Sequence, residues 1–436
     1  MTSLLHDDSL SLLTRGYNFG ARIWRRASPR ARAAAMRLLG DEALLVRGTT
    51  GVDLFYDESR IARHGAMPAV VQATLFGRGS VHSLDGDAHL RRKSTFLSVA
   101  YEDEQVARLA PLLEREWRLE IDEWLSGGRR SAYDAAVGAF GRAVMRWAGL
   151  PGTAAARTRW SARLAQIVDG FGVPYSPEFL QATINRRWSD RHSTRLIEAV
   201  RRGDLRPADR TALHEWAWHR EGGELLPPKL AGVELQNSIR PMIAVARFVA
   251  FAAKELHDRP PWRERIAAEA EMTGSLVGGP VATMFAQEIR RTALFVPVLP
   301  AFALADIEFD GEHIAAGGRI VLDVLGTNTD DQHWTRPHEF EPERFLTAAD
   351  YETMTAFIPQ GGGAVVTGHR CPGEKLAIAG LTAAISALSH PGLEIADSGL
   401  WVDRRRLPTK PASGGKVRIA GTGTAAAAGA RCPFHR

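Results

Sequence analysis

The sequence predicts one large, mainly α-helical domain with a small β component. Three observations lead there. Apolar residues recur at helical spacing over long stretches, above all from Glu102 to about Val200. Short apolar runs bounded by turn residues stand near the N-terminus and again after Pro297, which suits a minor sheet. No internal repeat or charge-block linker divides the 436 residues, and a chain that is 45% hydrophobic can bury a large core. The domain is expected over residues 1–420, with 421–436 a low-complexity, mobile tail.

Composition narrows the function classes. The 55 basic and 50 acidic residues are well mixed and leave a net charge of +5, which permits an anionic substrate without calling for nucleic acid. Two cysteines exclude a disulfide framework and fit a reducing, cytoplasmic setting. No run of about 20 apolar residues appears, so no membrane span is expected. The start, MTSLLHDDSL, carries acids and no apolar core, so it does not read as a secretory signal.

In chain order, residues 8–38 predict a helix interrupted near Pro29. Its Arg-rich part, Arg22 to Arg37, is either a membrane-surface or targeting helix or, more commonly, a solvated helix face. The runs Ala43–Val46 and Val52–Tyr56 flank the turn cluster RGTTG and predict a small sheet. Residues 57–77 look helical with a boundary near Pro68, and a short basic helix follows from Leu90 to about Val99. Then EDEQVARLAPLLEREWRLEIDEWL and AYDAAVGAFGRAVMRWAGL each predict an amphipathic helix, and Phe171–Pro177 interrupts the helical run. Leu230 to His257 is long and apolar, yet holds Arg240 and Pro241 in its middle. Another helix contains Gln287 to Ala293. Strands are expected within Ile314–Asp323, and a last helix from about Lys375.

The chemistry concentrates in Phe357–Glu374, FIPQGGGAVVTGHRCPGE. A Gly-rich loop leads to Cys371, His369 and Arg370 precede the sulfur, and a helix follows. Cations and a helix start lower a thiol pKa, so Cys371 is a candidate nucleophile, metal ligand or axial thiolate of a heme iron. The ordinary alternative is an inert buried cysteine. Cys432, in RCPFHR, lacks the Gly loop and the following helix and ranks far below it. Glu288 and Arg291 lie three apart on one helix face and can pair. Arg344, in Pro342-Glu343-Arg344-Phe345, supplies a second arginine for a Glu-centred clamp. Arg240 in an apolar helix demands an anion or a route to water, and Pro241 beside it opens a helical turn. Arg247 is a rival on nearly the same face. No HExxH, GxxxxGK[ST] or strand-to-helix GxGxxG motif occurs.

ExxR (Glu288, Arg291), then PERF, then the Cys371–Gly373 loop, in that order, resemble the cytochrome P450 superfamily. The usual loop has Phe seven and Gly four residues before the cysteine; here these are Ala364 and Thr367. The stretched loop resembles instead the fatty-acid peroxygenase branch, as do TLFGRGSVHSLDGDAHLRRK, IRPMIAV and QEIRR, over about Tyr17 to Ala420. The resemblance implies a cytochrome P450 fold with heme b and Cys371 as its iron ligand. It also implies that Arg240-Pro241 binds a fatty-acid carboxylate bidentately above the heme. Ordinary monooxygenases carry an acid–alcohol pair on this helix; RPMIAVARF has neither, which favours hydrogen peroxide over dioxygen and makes a redox partner unnecessary. His82 falls where hydroxylating members hold Gln and an alkene-forming member holds His, so it is expected to assist proton handling and to bias the outcome toward decarboxylation. Phe76 and Phe295 match residues that contact the fatty chain. His89, Arg92 and His369, with Arg370, match partners of the heme propionates. The implied activity is peroxide-driven oxidation of fatty acids at the α or β carbon, to hydroxy acids or terminal alkenes. The alternatives are a reductase-fed monooxygenase and a non-enzymatic heme sensor or carrier.

Overall fold

The structure, a computed structural model, describes residues 7–174, 176–347 and 350–421. The expected tail beyond Gly421, and with it Cys432, lies outside the described residues. The N-terminal segment is broken where one interrupted helix was expected: α1 (Ser9–Arg15) and α2 (Phe19–Trp24) give way to strand β1 (Ala33–Leu38). β1 pairs antiparallel with β2 (Asp41–Val46) in register Ala33↔Val46 to Leu38↔Asp41. The Arg-rich Arg22–Arg37 stretch is therefore not one helix face. The second run expected as a strand, Val52–Tyr56, belongs instead to helix α3 (Gly48–Phe55). Its Val52, Leu54 and Phe55 are buried under the sheet's edge, and burial of that apolar face outweighs β-propensity.

After β3 (Ile61–Ala62) and the turn α4 (Ala69–Val71), residues Gln72–Phe76 form a π-turn. Helices α5 (Gly86–Ala100), α6 (Asp103–Leu125), α7 (Ala132–Trp147), α8 (Ala154–Gly170) and α9 (Pro177–Arg201) build the body. Three of them start on hydroxyl caps: Ser131, Thr153 and Ser176 accept from Asp134, Ala156 and Phe179 N–H groups. Next come α10 (Ala212–Trp218) and the hairpin β4 (Arg220–Glu221) and β5 (Glu224–Leu225).

The long apolar segment splits into α11 (Pro228–Ala244) and α12 (Ala246–Asp258). Pro241 has no N–H to give the Asn237 carbonyl, and four residues later Val245 N–H is shared between the carbonyls of Pro241 (3.3 Å) and Met242 (3.2 Å). Then follow α13 (Pro260–Thr273), α14 (Pro280–Thr292), β6 (Val298–Ala303), β7 (Ile307–Phe309), β8 (Glu312–Ile314), β9 (Arg319–Asp323), α15 (Val324–Asn328), α16 (Glu374–Leu388), β10 (Leu393–Ile395) and β11 (Val417–Ile419).

The main sheet runs β1-β2-β9-β6-β3, with β2 and β9 parallel and the other pairs antiparallel. Alternation along β2 sends Leu44 and Val46 into one core cluster and Ala43 and Leu45 into another, so both faces are covered. The largest core cluster is helical and joins α6, α7, α11, α12, α14 and α16. Among the described residues no helix is long and apolar enough to cross a membrane.

Candidate active site

The site forms where α11 breaks over the Cys371 loop. A cavity of about 360 Å³ lies between them, lined mainly by apolar side chains, with Cys371 and Arg240 both on its wall. Phe76, His82, His89, Pro241, Phe295 and His369 line it too. The structure thus gathers most of the sequence-predicted site around one space.

Cys371 is held by its loop: its N–H donates to Gln360 O at 3.3 Å, and α16 starts at Glu374, three residues on. Gly361 permits that path with φ +95°, a conformation that side-chain-bearing residues rarely adopt. The thiol pKa is not lowered as expected. Burial pushes it up to about 11, with the Glu374 carboxylate adding to the rise, against a Gly373 backbone hydrogen bond and the charges of Lys93 and Arg290. The cations beside it are committed elsewhere. Arg370 bonds Glu374 (2.7 Å) and the Glu352 and Tyr351 carbonyls, and Arg290 bonds Glu374, Gln287 and Gln360. A metal ion that displaces the proton must supply the missing stabilisation of the thiolate.

One end of the cavity is basic. The His89 and His369 rings stack with centroids 3.8 Å apart, and His89 Nδ1 and His369 Nε2 are buried with no hydrogen-bond partner. Burial holds both imidazoles far below the usual histidine range, and Lys93 and Arg63 push the same way. Arg63 and Lys93 also line the cavity. Sequence reasoning missed both. Lys93 stands one residue after Arg92, and the direction of the helix decided which of the two faces inward. Glu58 lies within 4.8 Å of the two histidines, but the surrounding cations suit this end to anions rather than to a metal ion.

Arg92 is a correction. It does not line the cavity, and four of its five donors are taken by Glu221 (2.5 and 2.8 Å), Glu234 (2.8 Å) and Gly79 O (3.2 Å), so it is a strut of the fold rather than a propionate partner. Arg370 is likewise spent on protein acceptors.

The distal wall is α11. Arg240 is 3% exposed, and among the described residues no hydrogen bond or ion pair engages it; its Nη1 is buried and unpartnered. Burial, then the Arg186 charge, pushes its pKa down to about 9. Its guanidinium carbon lies 5.9 Å from the Phe76 ring centroid. The rival, Arg247, pairs with Asp169 and donates to Thr409 O, leaving only its Nε unpartnered, and it does not line the cavity. His82 keeps an open face on the cavity and sits 4.1 Å from Phe76, centroid to centroid. Desolvation and the Arg240 charge push its pKa down to about 3, so it is neutral. Phe295 packs on Phe248 at 5.1 Å. Ser238 also lines the cavity, but its hydroxyl accepts from Trp216 and donates to Glu234 O.

The clamp forms as expected. Glu288 and Arg291 make a two-pronged pair at 2.7 Å, and Arg344 approaches Glu288 to 3.6 Å.

These residues fit a heme. A lone thiol on one wall, apolar sides, and buried imidazole nitrogens without hydrogen-bond partners beside two cations at one end suit a thiolate iron ligand, a flat macrocycle and two carboxylates. The comparisons with known proteins agree. The family model for Cytochrome P450 matches residues 279–388. Cytochrome P450 137 of Mycobacterium tuberculosis is 25% identical over 414 residues, covering 87% of this chain and 81% of the relative. A solved structure of cytochrome P450SP alpha (CYP152B1) in complex with (R)-ibuprophen matches with a TM-score of 0.86 and 36% identity, over 94% of this chain and 98% of that one. A variant of cytochrome P450 OleT in complex with arachidonic acid matches with a TM-score of 0.86 and 28% identity, over 94% and 96%. The chain belongs to the cytochrome P450 family of heme oxidoreductases. Within it the chain sides with the fatty-acid peroxygenase branch that its loop and its Arg-Pro pair resemble.

Proposed function

We propose that this chain is a heme-thiolate peroxygenase, using hydrogen peroxide to oxidise fatty acids at the α or β carbon, with no obligatory redox partner. The observation that carries this is Arg240: a buried guanidinium that no hydrogen bond or ion pair engages among the described residues, facing an apolar cavity that also holds Cys371. An unpaired buried charge costs several kcal/mol, and an anionic ligand offsets that cost. Two of the similar structures hold carboxylic acids, (R)-ibuprophen and arachidonic acid.

Cys371 would ligate heme b, while His89, His369 and Arg63 would meet its carboxylates; Lys93, whose ammonium already donates to the Gly368 and Arg370 carbonyls, adds positive charge there. When bound, the heme supplies the redox chemistry by which peroxide is reduced as a substrate carbon is oxidised. Arg240 takes the fatty-acid carboxylate as a bidentate ion pair. Phe76 and Phe295 hold the first part of the chain by apolar contact. From Arg240 to Phe248, α11 and α12 offer neither acid nor alcohol, and the Ser238 hydroxyl is already bonded. The carboxylate held at Arg240 is then the acid–base group of the site. Hydroxylation converts acid and peroxide to hydroxy acid and water; decarboxylation yields a terminal alkene, carbon dioxide and two waters.

The test is a saturated fatty acid with peroxide alone, products read by mass spectrometry, for wild type and Arg240→Ala. Oxidised products from the wild type and none from a heme-loaded Arg240→Ala are expected. Undiminished activity in that variant rules out the carboxylate scheme. Turnover that needs a reductase favours the conventional monooxygenase, and bound heme without turnover favours a sensor or carrier.

A further inference from the structure

The helix that carries Arg240 also carries two buried polar side chains that hold the opposite wall. Glu234 is fully buried and Asn237 is 5% exposed. One Glu234 oxygen accepts from Val81 N–H (2.7 Å) and from Arg92 (2.8 Å), and the other accepts from Asn237 (2.9 Å). The same Asn237 amide donates to Phe76 O at 3.0 Å. From α9, Arg186 donates to Leu75 O at 2.9 Å. Between these ties the chain turns at Gly77, with φ +90°. A side chain there would meet the Arg186 guanidinium at 2.4 Å and Val233 at 2.6 Å. The segment 75–81 is therefore bonded at its start and its end to side chains from the helical body, and it delivers Phe76 and His82 to the cavity. Arg92, unsuited to a propionate, is a strut of this clasp: it links Glu234 to Glu221 and to Gly79 O (3.2 Å).

We infer that Glu234 and Asn237 are positioning residues that set which carbon of the fatty acid is oxidised; this rests on the function proposed above. Arg240 follows Asn237 by three residues and Glu234 by six, so one rigid element fixes both the carboxylate anchor and the wall that steers the chain. With the carboxylate anchored, a displacement of Phe76 and His82 by about one carbon–carbon spacing moves a different carbon to the reacting position.

The experiment uses holoenzyme, tetradecanoic acid and peroxide. It compares Asn237→Leu, which removes both donated bonds at similar volume, with Glu234→Gln, which keeps an acceptor for Val81 and loses one for Asn237. Gln105→Leu is the control: Gln105 is equally buried but sits on α6 and bonds the Ser98 and Arg210 carbonyls, away from the clasp and the cavity. The readouts are the ratio of α-hydroxy acid, β-hydroxy acid and alkene, which does not depend on how much enzyme is active, and hydrogen exchange of residues 75–83. Asn237→Leu is expected to shift the ratio about threefold or more and to speed that exchange, with an intact thiolate carbonmonoxy spectrum. Glu234→Gln shifts the ratio less, and Gln105→Leu leaves it alone. If Asn237→Leu does not accumulate, Asn237→Ser replaces it, losing reach to Phe76 without added bulk. An unchanged ratio in both clasp variants, or an equal shift in Gln105→Leu, overturns the inference. A wild type that oxidises no fatty acid overturns the proposed function instead; exchange at 75–83 then still decides whether the clasp exists, and unchanged exchange refutes it.

Discussion

Arg291 and Arg240 are both buried, and they are buried in opposite ways. All five donors of Arg291 are used: two on Glu288 at 2.7 Å, the rest on the carbonyls of Asn328, Pro337 and Glu339 at 2.8–3.1 Å. Arg240 has no hydrogen-bond or ion-pair partner among the described residues, only the Phe76 ring at 5.9 Å. The first arginine stores its binding capacity inside the fold, where Glu288 also accepts from Glu341 N–H and ties the 337–341 loop to α14. The second keeps its capacity free. A guanidinium stays protonated at neutral pH, so the downward pressure on the Arg240 pKa expresses a buried charge left uncompensated. Burial alone does not mark a functional arginine; burial without partners does.

This contrast is broken most severely at the satisfied end. Arg291→Leu strands the Glu288 charge and three carbonyls in the interior. A loss of about 3–5 kcal/mol is expected, seen as failure to accumulate folded protein or as a large drop in urea midpoint. Arg291→Lys should fail nearly as badly, because one ammonium cannot satisfy five acceptors arranged for a planar fork. Folded, heme-loaded Arg291→Lys at wild-type stability would show that the clamp is dispensable.

At the unsatisfied end the sign reverses. Arg240→Leu removes a charge that no described residue pairs. In the absence of fatty acid it should raise stability by about 1–3 kcal/mol while fatty-acid binding is lost. Thermal unfolding with and without tetradecanoic acid checks both arms: wild type gains stability from the ligand and the variant does not. Destabilisation by Arg240→Leu would mean that the guanidinium has a partner after all. Arg344 lies between the extremes. It stands 3.6 Å from Glu288 and caps the exposed carbonyls of Thr335 and Arg336. Arg344→Ala should cost about 1 kcal/mol, because water can take over those carbonyls.

The same distinction explains what could be read from the sequence. Glu288 with Arg291 is a local i,i+3 relation on a periodic helix, so it was visible. The Cys371 loop was visible because Gly residues and a following helix are local too. The long helices from Glu102 onward follow from 3.6-residue periodicity. Val52–Tyr56 misled because a short apolar run carries no period long enough to separate strand from helix. Ala33–Leu38 misled in the other direction: Ala, Met, Arg and Leu favour helix, but pairing with β2 and two covered faces won. Arg92 and Lys93 are adjacent, and only the tertiary placement of Glu221 and Glu234 shows which one is consumed. The raised Cys371 pKa was hidden for the same reason: the cations beside it in sequence bond to other groups in space.

His82 sharpens the comparison from its smallest member, since it lies beside Arg240 and the same burial and the Arg240 charge keep it neutral. Its folded pKa of about 3 lies below the ordinary 6.5. The unfolded chain therefore binds a proton between those values that the native protein does not, and stability falls as pH drops from about 6.5 toward 3. His82→Gln removes that proton and should shift acid unfolding to lower pH. Over pH 5–8 the native imidazole is neutral throughout, so it contributes no ionisation to turnover. The variant should then change the ratio of hydroxy acid to alkene, toward hydroxy acid, and leave the shape of the pH–rate profile unchanged. A limb near pH 6.5 that disappears in His82→Gln would show a histidine that titrates during turnover. It would also mean that the Arg240 charge is neutralised in the working enzyme more completely than a single carboxylate achieves.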